Sequence, residues 1–278
     1  MHHHTRIGHY INDLGLMTAA SLSRLVRPAS HSRRAEARRR LARQSLKLAA
    51  GLAFAILLLM LAIDVTVIDM MPQRGTESLW PLRIMTDFAK SEYVLWVLAI
   101  ALILVALAAP ALHGRSRAVA AYVATRLQFI FLAVLLSVWC NEVLKVIVGR
   151  GRPFVGGKAN AFNFSPFTST EAFASFPSGH AVTAFSLAFA VSAIWPRLSP
   201  LMWCYALLIA MTRMVLLAHH PSDVVGGALL GLLVAMVVRY WFACRRLGFV
   251  IRSDGTIESL FGPSWKDPKR VARAALSP

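Results

Sequence analysis

Cysteine and charge are both scarce in this sequence. The three cysteines, Cys140, Cys204 and Cys244, lie within or at the ends of apolar runs and show no CxxC spacing. We therefore interpret them as small hydrophobic side chains, since no pattern indicates disulfide pairing. Charged residues make up 15% of the 278 residues and hydrophobic residues 57%, with a mean hydropathy of +0.57. This composition is too apolar for an ordinary soluble domain.

Acidic residues are the scarcer of the charged residues. The chain has 13 Asp and Glu against 30 Lys and Arg, which gives a formal net charge of +17. The basic residues cluster in two tails and one short loop, as membrane topology and anionic head groups require, so we expect no nucleic-acid partner. The arginines between Arg33 and Arg43 either line an amphipathic helix on an anionic surface or belong to a solvated tail.

The hydrophobic residues are concentrated in runs of about 20, which is the helix length that spans a bilayer core of about 30 Å. The pattern predicts an all-α integral membrane protein, a six-transmembrane helix bundle over residues 47–244, between basic tails at 1–46 and 245–278. The fourth span is the weakest because it contains serines. The predicted spans are 48–71, 94–112, 127–148, 180–195, 200–218 and 223–243.

Three polar stretches at the edges of these runs can carry chemistry. In the first, residues 145–153 (KVIVGRGRP), Lys145 lies near the end of the third span and Arg152 follows seven residues later. Gly149, Gly151 and Pro153 predict that the helix ends there. Two adjacent cations favour an anion, and the planar guanidinium suits a phosphate. The alternative for Lys145 is an ion pair with Glu142.

The second stretch, Phe176 to His180, predicts the start of a helix, with Pro177 at its first position. The free N–H groups around Ser178 and Gly179 would then bind an anion, aided by the helix dipole. His180 in the first turn would reach a leaving oxygen. The alternative is a capping turn with an incidental histidine.

The third stretch is residues 212–223 (TRMVLLAHHPSD). A lone Arg213 deep in the fifth span is hard to explain structurally. Pro221 begins the next helix, which puts Asp223 in the first turn, where its carboxylate can orient an imidazole. Both His219 and His220 are candidates, because His220 shares the face of Arg213 but precedes a proline. A metal site is disfavoured, since HHxxD lacks the HExxH spacing and nearby cations repel a metal ion.

Positive charge also predicts the orientation. Both basic tails and the loop with Arg115, Arg117 and Arg126 are expected in the cytoplasm. All three polar stretches then lie on the other face. On that face Arg150, Arg152 and Lys158 run against the charge bias and are for that reason candidates for function. Asp64, near the middle of the first span, has no explanation from the sequence.

Together the three stretches resemble the motifs of the type 2 phosphatidic acid phosphatase (PAP2) superfamily, which are KxxxxxxRP, PSGH and SRxxxxxHxxxD. All spacings match over residues 48–243, and the one departure is Thr212 in place of serine, which keeps the hydroxyl. The resemblance implies a six-helix bundle of PAP2 type and a phosphatase without cofactor or metal. It selects His219 as the nucleophile, Asp223 as the group that orients it and His180 as the acid and base. It also implies that the phosphoryl oxygens are held by Lys145, Arg152, Ser178, Gly179 and Arg213.

We therefore expect an integral membrane phosphatase that hydrolyses a lipid phosphomonoester or pyrophosphate at the periplasmic face of a bacterial inner membrane, through a phosphohistidine. Candidate substrates are phosphatidic acid, phosphatidylglycerol phosphate, undecaprenyl pyrophosphate and lipid A phosphate. The alternatives are a lipid phosphotransferase with the same site, a vanadate-dependent haloperoxidase and a non-enzymatic anion-binding or transport protein. Six spans disfavour the haloperoxidase, and polar residues gathered near one side disfavour a transporter.

Overall fold

The structure is a computed structural model that describes residues 2–28, 34–73, 75–260 and 262. Arg33 and most of the predicted tail beyond residue 260 lie outside the described residues. The described chain is predominantly helical, which confirms the predicted class. Its helices are α1 (His2–Val26), α2 (Arg34–Ala62), α3 (Asp64–Met70), α4 (Trp80–Asp87), α5 (Ser91–Ala108), α6 (Gly114–Val148), α7 (Gly179–Ile194), α8 (Ser199–Val215) and α9 (Pro221–Cys244), and its strands are β1 (Phe249–Ile251) and β2 (Ile257–Ser259).

Five helical segments of the described chain are long and apolar enough to cross a membrane. The fourth predicted span corresponds to α7, which has only 16 residues and does not reach that length. The first predicted span is interrupted, because α2 ends at Ala62 and α3 begins at Asp64. The five segments are 35–62, 77–111, 114–148, 196–215 and 221–244.

The chain divides into two compact units, and the smaller one takes its described residues from Met1–Arg40, Val97–Phe131 and Arg239–Pro278. Its centre is aromatic, with the ring of Phe129 packed edge-on against Phe242 and Phe249 at centroid distances of 5.4 and 4.8 Å. The antiparallel strands β1 and β2 pair next to this centre. The sequence did not predict this hairpin, because two strands of three residues show no usable alternation.

The amino-terminal helix α1 is part of this unit and forms hydrogen bonds with its other helices. The Nε2 atom of Gln128 donates to the hydroxyl of Ser21 at 2.9 Å, and the indole N–H of Trp241 donates to the carbonyl of Leu25 at 3.0 Å. At least part of the basic amino-terminal segment is therefore held in place by hydrogen bonds within its own unit.

The second unit, Leu41–Trp96 and Leu132–Val238, contains all three polar stretches. Two glycines bring α9 close to α7 in this unit. A Cβ atom on Gly227 would lie 2.5 Å from the carbonyl oxygen of Ser178, and one on Gly231 would lie 2.6 Å from that of Val182. Glycines four residues apart on one helix face allow such close approach of two backbones. The packing places the first turn of α7 against the first turns of α9, and thus brings the second stretch to the third.

We predict that Gly231→Leu destabilises the protein. The new Cβ atom would meet a backbone carbonyl that cannot rotate away, and overpacking of this kind costs about 1–3 kcal/mol. The matched control is Gly51→Leu in α2, where an added Cβ meets no atom within 4 Å. The midpoint of thermal unfolding in detergent should fall for the first variant only, and equal midpoints would contradict the close packing of α7 on α9.

Candidate active site

The first polar stretch leaves its helix at Gly149. This residue has a φ of +56°, and a Cβ atom there would lie 1.9 Å from the carbonyl oxygen of Ser165. Only glycine fits that position, so α6 ends at Val148, close to where the glycines predicted. The turn leaves Lys145 on the helix and sends Arg150 and Arg152 into the following loop.

Lys145 faces two neighbours. Its Nζ atom lies 2.8 Å from Oε1 of Glu142, so the ion pair that the sequence left open is present. The same Nζ would lie 3.5 Å from a Cβ atom on Gly179, which places the ammonium group beside the start of α7. The Glu142 side chain is 61% exposed. Exposed ion pairs contribute about 0–1 kcal/mol, so a phosphate can compete for the ammonium group.

The second polar stretch forms the start of α7. The helix begins at Gly179 with Ser178 as its amino-terminal cap, and His180 lies in the first turn as predicted. Pro177 does not occupy the first helical position, which corrects the sequence prediction, because it precedes the cap and is joined to Phe176 by a cis peptide bond. The Ser178 N–H donates to the carbonyl of Asp223 at 3.0 Å. The Nε2 atom of His180 is buried and has no hydrogen-bond partner among the described residues.

Arg213 in the third stretch forms a hydrogen bond with a residue of α4. Its Nη1 atom donates to the hydroxyl of Thr86 at 2.9 Å, and Thr86 is a buried residue of α4. The last helix begins at Pro221, as predicted, so that Asp223 lies in the first turn of α9. The third stretch thus takes its arginine from the end of α8 and its carboxylate from the start of α9.

The two neighbouring histidines have different partners. Nδ1 of His219 lies 2.8 Å from the backbone carbonyl of Ser175. Since a carbonyl only accepts hydrogen bonds, Nδ1 of His219 carries the proton, and in the neutral ring Nε2 keeps its lone pair. Nδ1 of His220 instead lies 3.2 Å from Oδ2 of Asp223, whose distance to Nδ1 of His219 is 3.9 Å. The direct hydrogen bond expected between Asp223 and His219 is therefore replaced by one to His220.

Ser175 connects Asp223 to His219 indirectly. Its hydroxyl donates to Oδ2 of Asp223 at 2.6 Å, while its carbonyl accepts from His219. Its own N–H donates to the carbonyl of Arg150 at 3.0 Å, which ties this residue to the first stretch. Ser175 could not be predicted from the sequence, because every residue type offers the same backbone carbonyl.

Burial lowers the pKa of His219 well below its ordinary value. The carboxylate of Asp223 opposes this shift, whereas the charges of Arg213 and Arg152 add to it. At neutral pH the imidazole is therefore uncharged, with the proton on Nδ1 and a lone pair on Nε2. This is the protonation state that a nitrogen nucleophile needs.

Arg150 is a fully buried charge of the site. Its relative exposure is 0%, and it contacts two carboxylates that are equally buried, those of Asp64 and Asp223. In the sequence, Arg150 stood out only as a charge against the topology bias, and Asp64 had no explanation. The ion pair between them explains why both charges are buried. The guanidinium donates to Oδ1 of Asp223 at 2.5 Å, Oγ of Ser222 at 2.6 Å, Oδ2 of Asp64 at 2.8 Å and the carbonyl of Ala161 at 2.8 Å.

Arg152 and Asn141 complete the surroundings. Arg152 lies 3.2 Å from the exposed carboxylate of Glu171 and, like Arg213, acts electrostatically on His219. Asn141, which the sequence analysis missed, is buried one helical turn before Lys145, and its Nδ2 atom would lie 3.4 Å from a Cβ on Gly179. In the part of the chain that the structure describes, no group of three His, Cys, Asp or Glu side chains has an arrangement that could hold a metal ion.

Part of the chain is similar to a known protein family. Residues 126–246 match the family model of the PAP2 superfamily. Over these residues the chain is similar to the PAP2 superfamily. All three polar stretches lie within the matched residues, so the PAP2 resemblance found in the sequence is confirmed, while Asp64 lies outside them.

Two curated relatives of the chain are both named lipid A 1-phosphatase. The protein from Rhizobium johnstonii is 35% identical over 164 residues, which cover 58% of this chain and 63% of the relative. The protein from Rhizobium etli is 36% identical over 144 residues, which cover 51% of this chain and 61% of the relative. The chain therefore spans about three fifths of the length of these relatives.

A solved structure is also similar to this chain. It is the crystal structure of the first transmembrane PAP2 type phosphatidylglycerolphosphate phosphatase from Bacillus subtilis. The similarity has a TM-score of 0.43 and 20% identity, and it covers 71% of this chain and 92% of that one.

Proposed function

We propose that this protein is an integral membrane phosphatase that removes a phosphate from a lipid through a phosphohistidine formed on His219. The observation that carries the proposal is the hydrogen bond from Nδ1 of His219 to the Ser175 carbonyl, since it leaves a lone pair on Nε2 in a site surrounded by cations. The 1-phosphate of lipid A is the first substrate to test, because both curated relatives bear that name. Phosphatidic acid, phosphatidylglycerol phosphate and undecaprenyl pyrophosphate complete the panel.

Phosphate binding uses fixed charges and the start of α7. Lys145 beside Gly179 and the free N–H groups of the first turn form one side of the cradle, and the positive end of the helix dipole favours the same anion. Arg152 and Arg213 supply the remaining positive charge. A phosphoryl group in transfer spreads negative charge over its equatorial oxygens, so preorganised donors stabilise the transition state.

The reaction then takes two balanced steps. Nε2 of His219 forms a bond to phosphorus as the bond from phosphorus to the lipid oxygen breaks, and His180 gives its proton to that oxygen. A bound phosphate dianion beside His180 favours the protonated imidazole that this step requires. In the second step a water oxygen bonds to phosphorus, the bond from His219 to phosphorus breaks, and His180 takes the proton of the water. The products are the dephosphorylated lipid and inorganic phosphate.

We predict that the unmodified enzyme, quenched during turnover of a ³²P-labelled lipid phosphate, carries an acid-labile and alkali-stable label. His219→Ala should abolish both the label and phosphate release, whereas His220→Ala should still form the label, because the ring of His220 points its Nδ1 to Asp223. Persistence of the label without His219 would remove it as the nucleophile. Strong inhibition of the unmodified enzyme by EDTA would revive the metal alternative.

Leaving-group chemistry tests His180. We expect His180→Ala to lower kcat/KM for a lipid phosphate by about 10²–10⁴-fold, the range for loss of a general acid. The burst of p-nitrophenol from p-nitrophenyl phosphate should be much less affected, because this leaving group needs no proton. His113→Ala, at an exposed histidine, is the matched control. Equal losses with both substrates would contradict the role of His180 as an acid.

The proposed location of the site is the periplasmic face of a bacterial inner membrane, with both termini in the cytoplasm. The distribution of Lys and Arg along the sequence supports this orientation. A cysteine placed at Gly156, in the loop that follows Arg152, should react with a membrane-impermeant thiol reagent in cells whose outer membrane is permeable to it. Protection of that cysteine, with labelling only after the inner membrane is opened, would place the site on the cytoplasmic face.

A further inference from the structure

We propose that Asp64 is a positioning residue for the nucleophile, which acts on His219 through Arg150, Ser222 and Asp223. The inference rests on the proposed function and deepens it, because it adds to the site a residue from outside the three motifs. Asp64 lies 62 residues before the stretch that matches the family model, at the break between α2 and α3.

The contacts of Asp64 lead to the start of α9. Oδ1 of Asp64 accepts the backbone N–H of Ser222 at 3.0 Å, and Oδ2 accepts both the hydroxyl of Ser222 and Nη2 of Arg150, the latter at 2.8 Å. The N–H of Ser222 belongs to the first turn of a helix and has no acceptor within that helix. Asp64 therefore caps α9 from a distant segment and fixes the residue that immediately precedes Asp223.

The second effect of Asp64 is on charge. Arg150 carries one positive charge and contacts the carboxylates of both Asp64 and Asp223. Arg150 and Asp223 by themselves would have no net charge. Together with Asp64 the three groups carry one net negative charge. Burial of all three at 0% exposure leaves little water to screen that charge.

The net negative charge of this cluster stabilises the positive charge that develops on His219 during the reaction. Because Nδ1 keeps its proton, attack by Nε2 makes the ring of His219 positive as the bond to phosphorus forms. That ring lies 3.9 Å from Oδ2 of Asp223. A fixed negative charge next to a developing positive one lowers the barrier of this step. Asp64 supplies that charge indirectly, because it prevents Arg150 from cancelling the charge of Asp223.

Asp64→Asn tests the inference in the full-length protein in detergent, with lipid A as substrate and inorganic phosphate as a competitive inhibitor. We expect kcat to fall about 10- to 100-fold, which is less than the roughly 10²–10³-fold loss of a direct contact to the transition state, because Asp64 acts through other residues. KM and the inhibition constant of phosphate should stay within about threefold, because Lys145, Arg152 and Arg213 are untouched. Asp69→Asn, at an exposed carboxylate of the same short helix, is the matched control and should behave like the unmodified enzyme.

A double variant that restores the net charge of the cluster separates the electrostatic effect from a folding defect. In Asp64→Asn combined with Arg150→Met, the cluster regains one net negative charge, so kcat should recover at least partly relative to Asp64→Asn alone. A purely structural role predicts the opposite, since the double variant loses more hydrogen bonds. Unchanged kcat in Asp64→Asn, or a further loss in the double variant, would overturn the inference. Absence of phosphate release by the unmodified enzyme from every lipid would instead count against the proposed function.

Discussion

The arrangement of this site depends on the burial of one guanidinium group. Arg150 lies just beyond the end of α6 and contacts the start of α3, the start of α9 and the loop at Ala161. A buried charge of this kind is tolerated only when each of its donors has a partner, and removal of one partner typically costs about 3–5 kcal/mol. The positions of the other polar groups follow from this requirement, because the carboxylates that satisfy Arg150 also hold Ser222, Ser175 and the backbone of His220.

The residues proposed to bind the phosphate and the residues that support them come from different parts of the sequence. Lys145, His180 and Arg213 lie on helices that end or begin at the site, so their placement follows from where glycine and proline stop or start a helix. Support comes from segments far away along the chain, such as Thr86 for Arg213 and Asp64 for Arg150. Correct placement of Arg213 and Arg150 therefore depends on packing between segments of the second unit that are distant in sequence.

These two kinds of residue differ in how far they could be predicted. The helix end at Gly149 and the helix start at Pro221 have local causes, so the sequence predicted both and with them the position of Asp223. The pairing of Arg150 with Asp64 spans 86 residues, and no local pattern encodes it. The proton on Nδ1 of His219 depends on a backbone carbonyl, which any residue at position 175 would offer. The start of α7 at Gly179 was also not predicted, because proline is favoured at the first position of a helix and the sequence therefore indicated a start at Pro177.

The shortness of α7 bears on where the lipid reacts. Its 16 residues rise about 24 Å, some 6 Å less than a bilayer hydrocarbon core. If its carboxyl end reaches one boundary of that core, its amino end with Gly179 and His180 lies below the other boundary. A lipid head group would then sink toward the cations, and the acyl chains would never leave the membrane. Water, which the proposed second chemical step would consume, would have to follow the phosphate inward along the same polar opening.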